Sequence, residues 1–274
     1  MDLGIRGRHA LVFGGSRGMG RACAQQLASE GVNVTIAART ESTLAQAARE
    51  IAEATGTPVR FAVADITTDA GREAALSACP APDILVNNAD GAPPGDFRLW
   101  TQDDWRKALD SMALGPIDMI RRVVDGMMQR RYGRIVNIVS RSVKAPHAEL
   151  GLSNGARSGL IGFVGGLARQ TVRHNVTINN LLPGAFATDA QVAEGVAGRA
   201  GVLELDGDRL GDALDGQVGR LTLAHPLVVQ FLVAAGADLL VDEEVEVVDQ
   251  AVLVARGGQR HVVDDVGRVT HDLQ

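Results

Sequence analysis

Six short apolar runs, most of them rich in β-branched residues, punctuate the first two-thirds of the chain: HALVFGG (9–15), VNVTIAAR (32–39), VRFAVAD (59–65), DILVNNA (83–89), GRIVNIVS (133–140) and NVTINNLLPG (175–184). Between them, at about 19–30, 41–55, 68–78, 101–131 and 153–174, apolar residues recur at helical spacing. Short continuous apolar runs mark strands buried on both faces, and recurrence every three to four residues marks helices packed along one side. Their alternation predicts an α/β fold: a Rossmann-type doubly wound parallel sheet with helices on both faces, in a single domain over 1–274. Pro116 falls inside the fourth helical segment. Its ring and missing N–H predict a new helix start or a kink there. Beyond about residue 188 the pattern blurs. The Gly- and Asp-rich stretch 195–219 reads as a loop or lid, followed by a helix near 225–236 and a strand within VEVVDQAVLVARGG (245–258) that would add an edge to the sheet.

Composition narrows the classes of function. Of 274 residues, 46% are hydrophobic but only 3% aromatic, so the core is expected to be built from Val, Leu, Ile and Ala. The net charge of −6 excludes a general electrostatic grip on nucleic acid or an anionic membrane surface. No run is long enough to span a membrane, and MDLGIRGRHALVFGG lacks the features of a secretory signal. Cys23 and Cys79 form no CxxC pair, and the six histidines form no HExxH or Cys/His cluster. These features predict a cytoplasmic protein without a disulfide framework or a structural metal.

The first strand runs into FGGSRGMGRACAQQL, with glycines at 14, 18 and 20 before an amphipathic helix. Residues without Cβ allow a tight turn and let the main chain approach a phosphate, while the helix start offers free N–H groups and a positive dipole end. A Walker P-loop is excluded, because Arg21 and Ala22 follow Gly20 where that motif requires Lys and Ser or Thr.

The spacing G-x-x-x-G-x-G, NNA at 87–89 and PGAFAT at 183–188 resemble the motifs of the short-chain dehydrogenase/reductase family, in its 3-oxoacyl-carrier-protein-reductase-like form, and they occur in family order. The resemblance covers about residues 5–190. It implies that Gly14, Ser16, Arg17, Gly18, Met19 and Gly20 border the pyrophosphate and adenosine ribose, and that Asp65 and Ile66 border the adenine. Asn87 and Ala89 would lie by the nicotinamide-side ribose, with Pro183, Gly184 and Thr188 closing over the nicotinamide. Phe13 stands where the family usually has Thr, and Asp90 where it has Gly. At the end of the second strand Arg39 replaces the acid that would accept from a free ribose 2′-hydroxyl, and Arg17 adds a second cation. The expected cofactor is therefore NADP(H) rather than NAD(H).

By the same resemblance Ser140 would polarise a substrate carbonyl. The family's tyrosine follows thirteen residues later and its lysine four after that, positions held here by Ser153 and Arg157. A serine hydroxyl is much less acidic than a phenol, and a guanidinium does not exchange protons, so both replacements weaken general acid–base chemistry. Met112 aligns with the family's supporting asparagine, and Tyr132, the only tyrosine, reads as structural. His147 is a candidate surrogate acid, and a water relayed through Ser140 is another. Two functions follow: an oxidoreductase passing hydride between NADP(H) and a small carbonyl or alcohol through catalytic Ser140, Ser153 and Arg157, or a non-catalytic dinucleotide-binding protein. A non-redox reaction, as in the related halohydrin dehalogenases that carry arginine at the lysine position, is a further possibility. The resemblance also implies a homo-oligomer, a dimer or tetramer, paired through helices within 101–131 and 153–174.

Overall fold

All six predicted strands form: β1 (His9–Phe13), β2 (Asn33–Ala38), β3 (Val59–Val63), β4 (Ile84–Asn88), β5 (Gly133–Ile138) and β6 (Val176–Leu181). They pair in parallel in the order β3-β2-β1-β4-β5-β6, so the direction of winding reverses between β1 and β4. The computed structural model describes residues 3–183, 252–256, 259–263 and 269–273.

Alternation along β1 shows how the sheet divides the core. Ala10 and Val12 meet Cys23, Ala24 and Leu27 of α1 (Gly18–Ser29) and Leu44 and Ile51 of α2 (Glu41–Thr55) on one face. Leu11 and Phe13 point the other way, towards α3 (Asp69–Ala78), α5 (Gly115–Arg130) and α6 (Gly151–Thr171), which contribute Ala75, Met119, Ile120, Val123, Leu160 and Val164. Successive side chains of a strand take opposite faces, so one apolar run serves two helical layers. Full burial of each Leu or Ile contributes about 1.5–3 kcal/mol relative to exposure. Free Cys23 and Cys79 are both buried, and burial pushes the Cys23 thiol up to about 12. Neither is poised as a nucleophile.

The long predicted helix 101–131 is divided. Helix α4 (Gln102–Leu109) starts at a capping box formed by Thr101 and Asp104, passes into a wide turn over Asp110–Leu114, and α5 then begins with Pro116 in its first turn. Proline supplies no N–H, and the widened turn, in which the Gly115 amide donates to the Asp110 carbonyl, absorbs the change. Helix α6 opens at Gly151, two residues before the predicted start, and a short 3₁₀ turn, Val172–His174, completes it.

The C-terminal strand differs from expectation. Val252–Arg256 (β7) is a strand, but it does not extend the parallel sheet. It pairs antiparallel with Gln259–Val263 (β8), which pairs with Val269–Leu273 (β9). Only Gly257 and Gly258 separate β7 from β8, and a Gly-Gly step between two alternating runs favours a local hairpin over a distant parallel partner. The predicted loop at 195–219 and helix at 225–236 lie outside the described residues.

Candidate functional site

The reversal between β1 and β4 opens a crevice at the carboxyl ends of the strands, where doubly wound sheets bind ligands. The loop after β1 folds tightly there. Gly14 has φ +64°, and a Cβ on it would lie 2.6 Å from Asn88 Nδ2. A Cβ on Gly20 would lie 2.3 Å from the Gly14 carbonyl oxygen. The loop thus closes on itself and on the end of β4, and no larger residue fits at either position. Helix α1 starts at Gly18 behind exposed, extended Arg17, with no side-chain cap and no acidic residue in its first turn. By contrast Thr68 caps α3 and Thr101 caps α4. The uncapped amides at Gly18–Gly20, with Ser16 and Met19 half-buried alongside, suit a pyrophosphate.

At the end of β2, exposed Arg39 forms an ion pair with Asp90, two residues past β4. Asp65 follows β3. Partial burial raises its pKa, but hydrogen bonds from the Thr67 amide and hydroxyl, with the charges of Arg39 and Arg72, outweigh burial and hold it below the usual carboxylate value. Ile66 is buried beside it, and its carbonyl accepts from Arg72 Nη1 at 2.7 Å. Arg72 Nε in turn meets Asp118 of α5 at 2.7 Å, and Asp118 also accepts from Arg121 and Arg122. Its burial opposes ionisation, yet these arginines overcome that and take Asp118 to about 2. The loop at Asp65–Ile66 is therefore braced by α3 and α5.

Asn87 lies deeper than the resemblance implies. It is 2% exposed, and its Nδ2 donates to Asn137 Oδ1 at 2.9 Å, while Asn137 Nδ2 donates to Asn180 Oδ1 at 3.0 Å. The three asparagines are paired in register across β4, β5 and β6. The side chain of Asn87 thus ties strands together, and its buried Oδ1 has no hydrogen-bond partner among the described residues. The asparagine beside the glycine loop is Asn88, which the motif-based reading passed over. Strand alternation was the available signal, since consecutive residues face opposite ways. Ala89 packs against the core on the α5–α6 side.

Ser140, Ser153, Arg157 and Pro183 gather where β5, β6 and α6 meet. Arg157 is 8% exposed and Ser153 7%. Arg157 donates through Nε to Ser153 Oγ at 3.1 Å and through Nη1 to the Ile138 carbonyl at 2.9 Å, which anchors the start of α6 to the end of β5. The Arg141 amide donates to the Pro183 carbonyl at 3.0 Å and the Ser142 amide to Ser140 Oγ at 3.1 Å. No carboxylate among the described residues pairs with Arg157, and burial lowers its pKa to about 10. It remains a cation at neutral pH. Since Ser153 Oγ accepts from Arg157 and Ser140 Oγ from Ser142, each hydroxyl keeps its own proton to donate.

The other candidates lie elsewhere. Met112, 2% exposed, packs with Ala108, Leu152, Ala156 and Trp100 in an apolar cluster. His147 is exposed, and its carbonyl, not its ring, accepts from Asn154 Nδ2 at 2.9 Å. Tyr132 precedes β5 at the opposite end of the sheet, with Arg8 3.7 Å above its ring, and is structural. Gly184 and Thr188 lie outside the described residues. Among the described residues no group of three or more His, Cys, Asp or Glu side chains could hold a metal, and no helix is long and apolar enough to cross a membrane.

Comparison with known proteins agrees with this arrangement. The chain is 32% identical over 228 residues to the 3-oxoacyl-[acyl-carrier-protein] reductase of Vibrio harveyi, covering 82% of this chain and 92% of that protein. It is 32% identical over 188 residues to the acetoacetyl-CoA reductase of Cupriavidus necator, covering 66% of this chain and 76% of that protein. Among solved structures, L-sorbose reductase from Gluconobacter frateurii, complexed with NADPH and L-sorbose, superposes with a TM-score of 0.67 at 28% identity, over 73% of this chain and 79% of that one. A 3-oxoacyl-(acyl-carrier-protein) reductase from Agrobacterium tumefaciens with NADP bound gives 0.67 at 27% identity, over 72% and 77%. The family model for short chain dehydrogenases matches residues 8–196, and with the strand order and the glycine loop at the β1–β4 crevice, this chain belongs to the short-chain dehydrogenase family.

Proposed function

We propose that the protein is an NADP(H)-linked oxidoreductase that interconverts a small carbonyl compound and its alcohol through an altered reaction site. Gly14, Gly18 and Gly20, the open amides of α1, Arg17 and Arg39 would hold the dinucleotide. When bound, the cofactor supplies or accepts hydride at its nicotinamide ring. Ser140 and Ser153 would donate hydrogen bonds to the substrate oxygen as negative charge builds on it, with the Arg157 cation behind Ser153 favouring that charge. None of the three is a good proton donor, so the proton on the product alcohol would come from water, and positioning rather than acid catalysis would carry the rate. The observation that carries this reading is the hydrogen bond from Arg157 to Ser153 Oγ, in which the hydroxyl accepts and so keeps its own proton to donate.

A second reading, a dinucleotide-binding protein without catalysis, is favoured by the apolar packing of Met112, where the resemblance implies a supporting asparagine, and by the charge retained on Arg157. Calorimetric titration with NADPH and NADH, followed by assay of NADPH oxidation with a panel of small ketones and aldehydes, separates the two. Binding with turnover supports the enzyme; binding without turnover across the panel supports the second reading. We further propose a cytoplasmic homo-oligomer with no nucleic-acid or membrane partner. Exposed apolar residues on α4 and α6, Trp105, Leu109 and Phe163, support pairing of copies, and light scattering would give the state as dimer or tetramer.

A further inference from the structure

The Arg39–Asp90 ion pair gives the proposed nucleotide site a feature that the glycine loop alone does not have. Strands β2 and β4 flank β1 in the sheet. Arg39 directly follows β2 and Asp90 lies two residues past β4, so their joined side chains span the carboxyl end of β1, above the start of the glycine loop. The Asp90 end is held in place, because its carbonyl accepts from Ser111 Oγ at 3.3 Å. Asp65 adds its negative charge on the other side of Arg39. The guanidinium that would select a 2′-phosphate is therefore already in contact with one carboxylate and near a second.

We infer that Asp90 is a cofactor-specificity residue, whose carboxylate competes with the 2′-phosphate of NADP(H) for Arg39 and so narrows the preference for NADP(H) over NAD(H). The inference rests on the NADP(H) reading above. A 2′-phosphate offers Arg39 a bidentate, charge-assisted contact, but taking it requires Arg39 to release Asp90. A free 2′-hydroxyl asks for no such exchange, so NAD(H) can enter with the pair intact. Both side chains are well exposed, at 64% and 60%, so the pair is weak enough to open and acts as a competitor rather than a block.

Calorimetry on the full chain tests this, using NADPH, NADH, adenosine 2′,5′-bisphosphate and 5′-AMP as probes. Asp90→Asn should tighten NADPH and the bisphosphate by about threefold to fivefold and leave NADH and 5′-AMP within about twofold. Arg39→Ala should weaken NADPH and the bisphosphate, and adding Asp90→Asn to Arg39→Ala should restore nothing. The inference is overturned if Asp90→Asn tightens NADH as much as NADPH, if its gain persists without Arg39, or if it brings no gain while Arg39→Ala still weakens NADPH. If Arg39→Ala leaves NADPH unchanged, the NADP(H) reading itself fails and the inference goes with it.

Discussion

The glycine loop at Gly14–Gly20 and the proposed reaction site at Ser140–Arg157 lie at the same edge of one sheet but depend on different parts of the chain. The loop works through main-chain atoms. A Cβ at Gly20 would strike the Gly14 carbonyl, so its shape admits almost no variation. The proposed reaction site would work through side-chain atoms carried just past β5 and on α6. There the hydroxyl and guanidinium are held to the backbone frame, because Arg157 bonds to Ser153 and to the end of β5. A ligand cradle made of backbone is thus bound up with the fold, whereas the chemistry beside it is free to diverge.

Restoring the missing groups should break this contrast most clearly. Ser153→Tyr with Arg157→Lys is expected to raise NADPH-dependent carbonyl reduction by about 100-fold, the usual scale for a positioned general acid. Steady-state assays over the substrate panel would measure it, and no gain on any substrate would favour the non-catalytic reading. On the other side of the comparison, Gly20→Val should weaken NADPH binding by at least about tenfold, because the clash with Gly14 opens the loop. Circular dichroism should show the helices retained. Unchanged affinity would mean that the loop does not hold the phosphates.

Smaller effects concern buried and paired charge. Burial lowers the Arg157 pKa to about 10, and this desolvation opposes folding, partly offset by its hydrogen bonds to Ser153 and Ile138. Arg157→Met should therefore leave stability unchanged or raise it by about 1 kcal/mol in urea unfolding; a fall of several kcal/mol would show that those bonds dominate. Above about pH 10 the native state binds fewer protons than the unfolded chain, so the wild type should gain stability relative to this variant only as pH rises past 10. Asp118 behaves oppositely. Its pKa is depressed to about 2 from 3.8, so its contribution is present above pH 3.8 and lost as pH falls through 2. Asp118→Asn should lower Tm by about 2–4 °C at neutral pH, with the gap closing at pH 2.

Much of this was legible along the chain. Six apolar runs become six strands because burial leaves a continuous signal along the central strands, while the edge strand β3, with Phe61 and Val63 exposed, keeps only the β-branched and aromatic composition. Pro116 announced the break in the long helix because its missing donor acts locally. Spacing alone also pairs Ser153 with Arg157, and the structure joins the two by a hydrogen bond near the end of β5. The strand at β7 is legible but its partner is not, since pairing depends on what competes for an edge, and β7 pairs locally with β8 instead of the parallel sheet. Asn87 was expected to face the cofactor, yet its side chain joins Asn137 and Asn180 across three strands, a relation between positions up to 93 residues apart by their numbering.

What the sequence determined by itself was set by local rules: periodicity chose the elements, glycine positions chose the loop, and motif spacing chose the family. Tertiary structure alone decided which charges meet. Arg39 finds Asp90 across 51 residues, while Arg157 is buried with a hydroxyl and a carbonyl for partners and no carboxylate among the described residues. Coulomb and desolvation energies depend on distance and burial, and neither is encoded in any short stretch of chain.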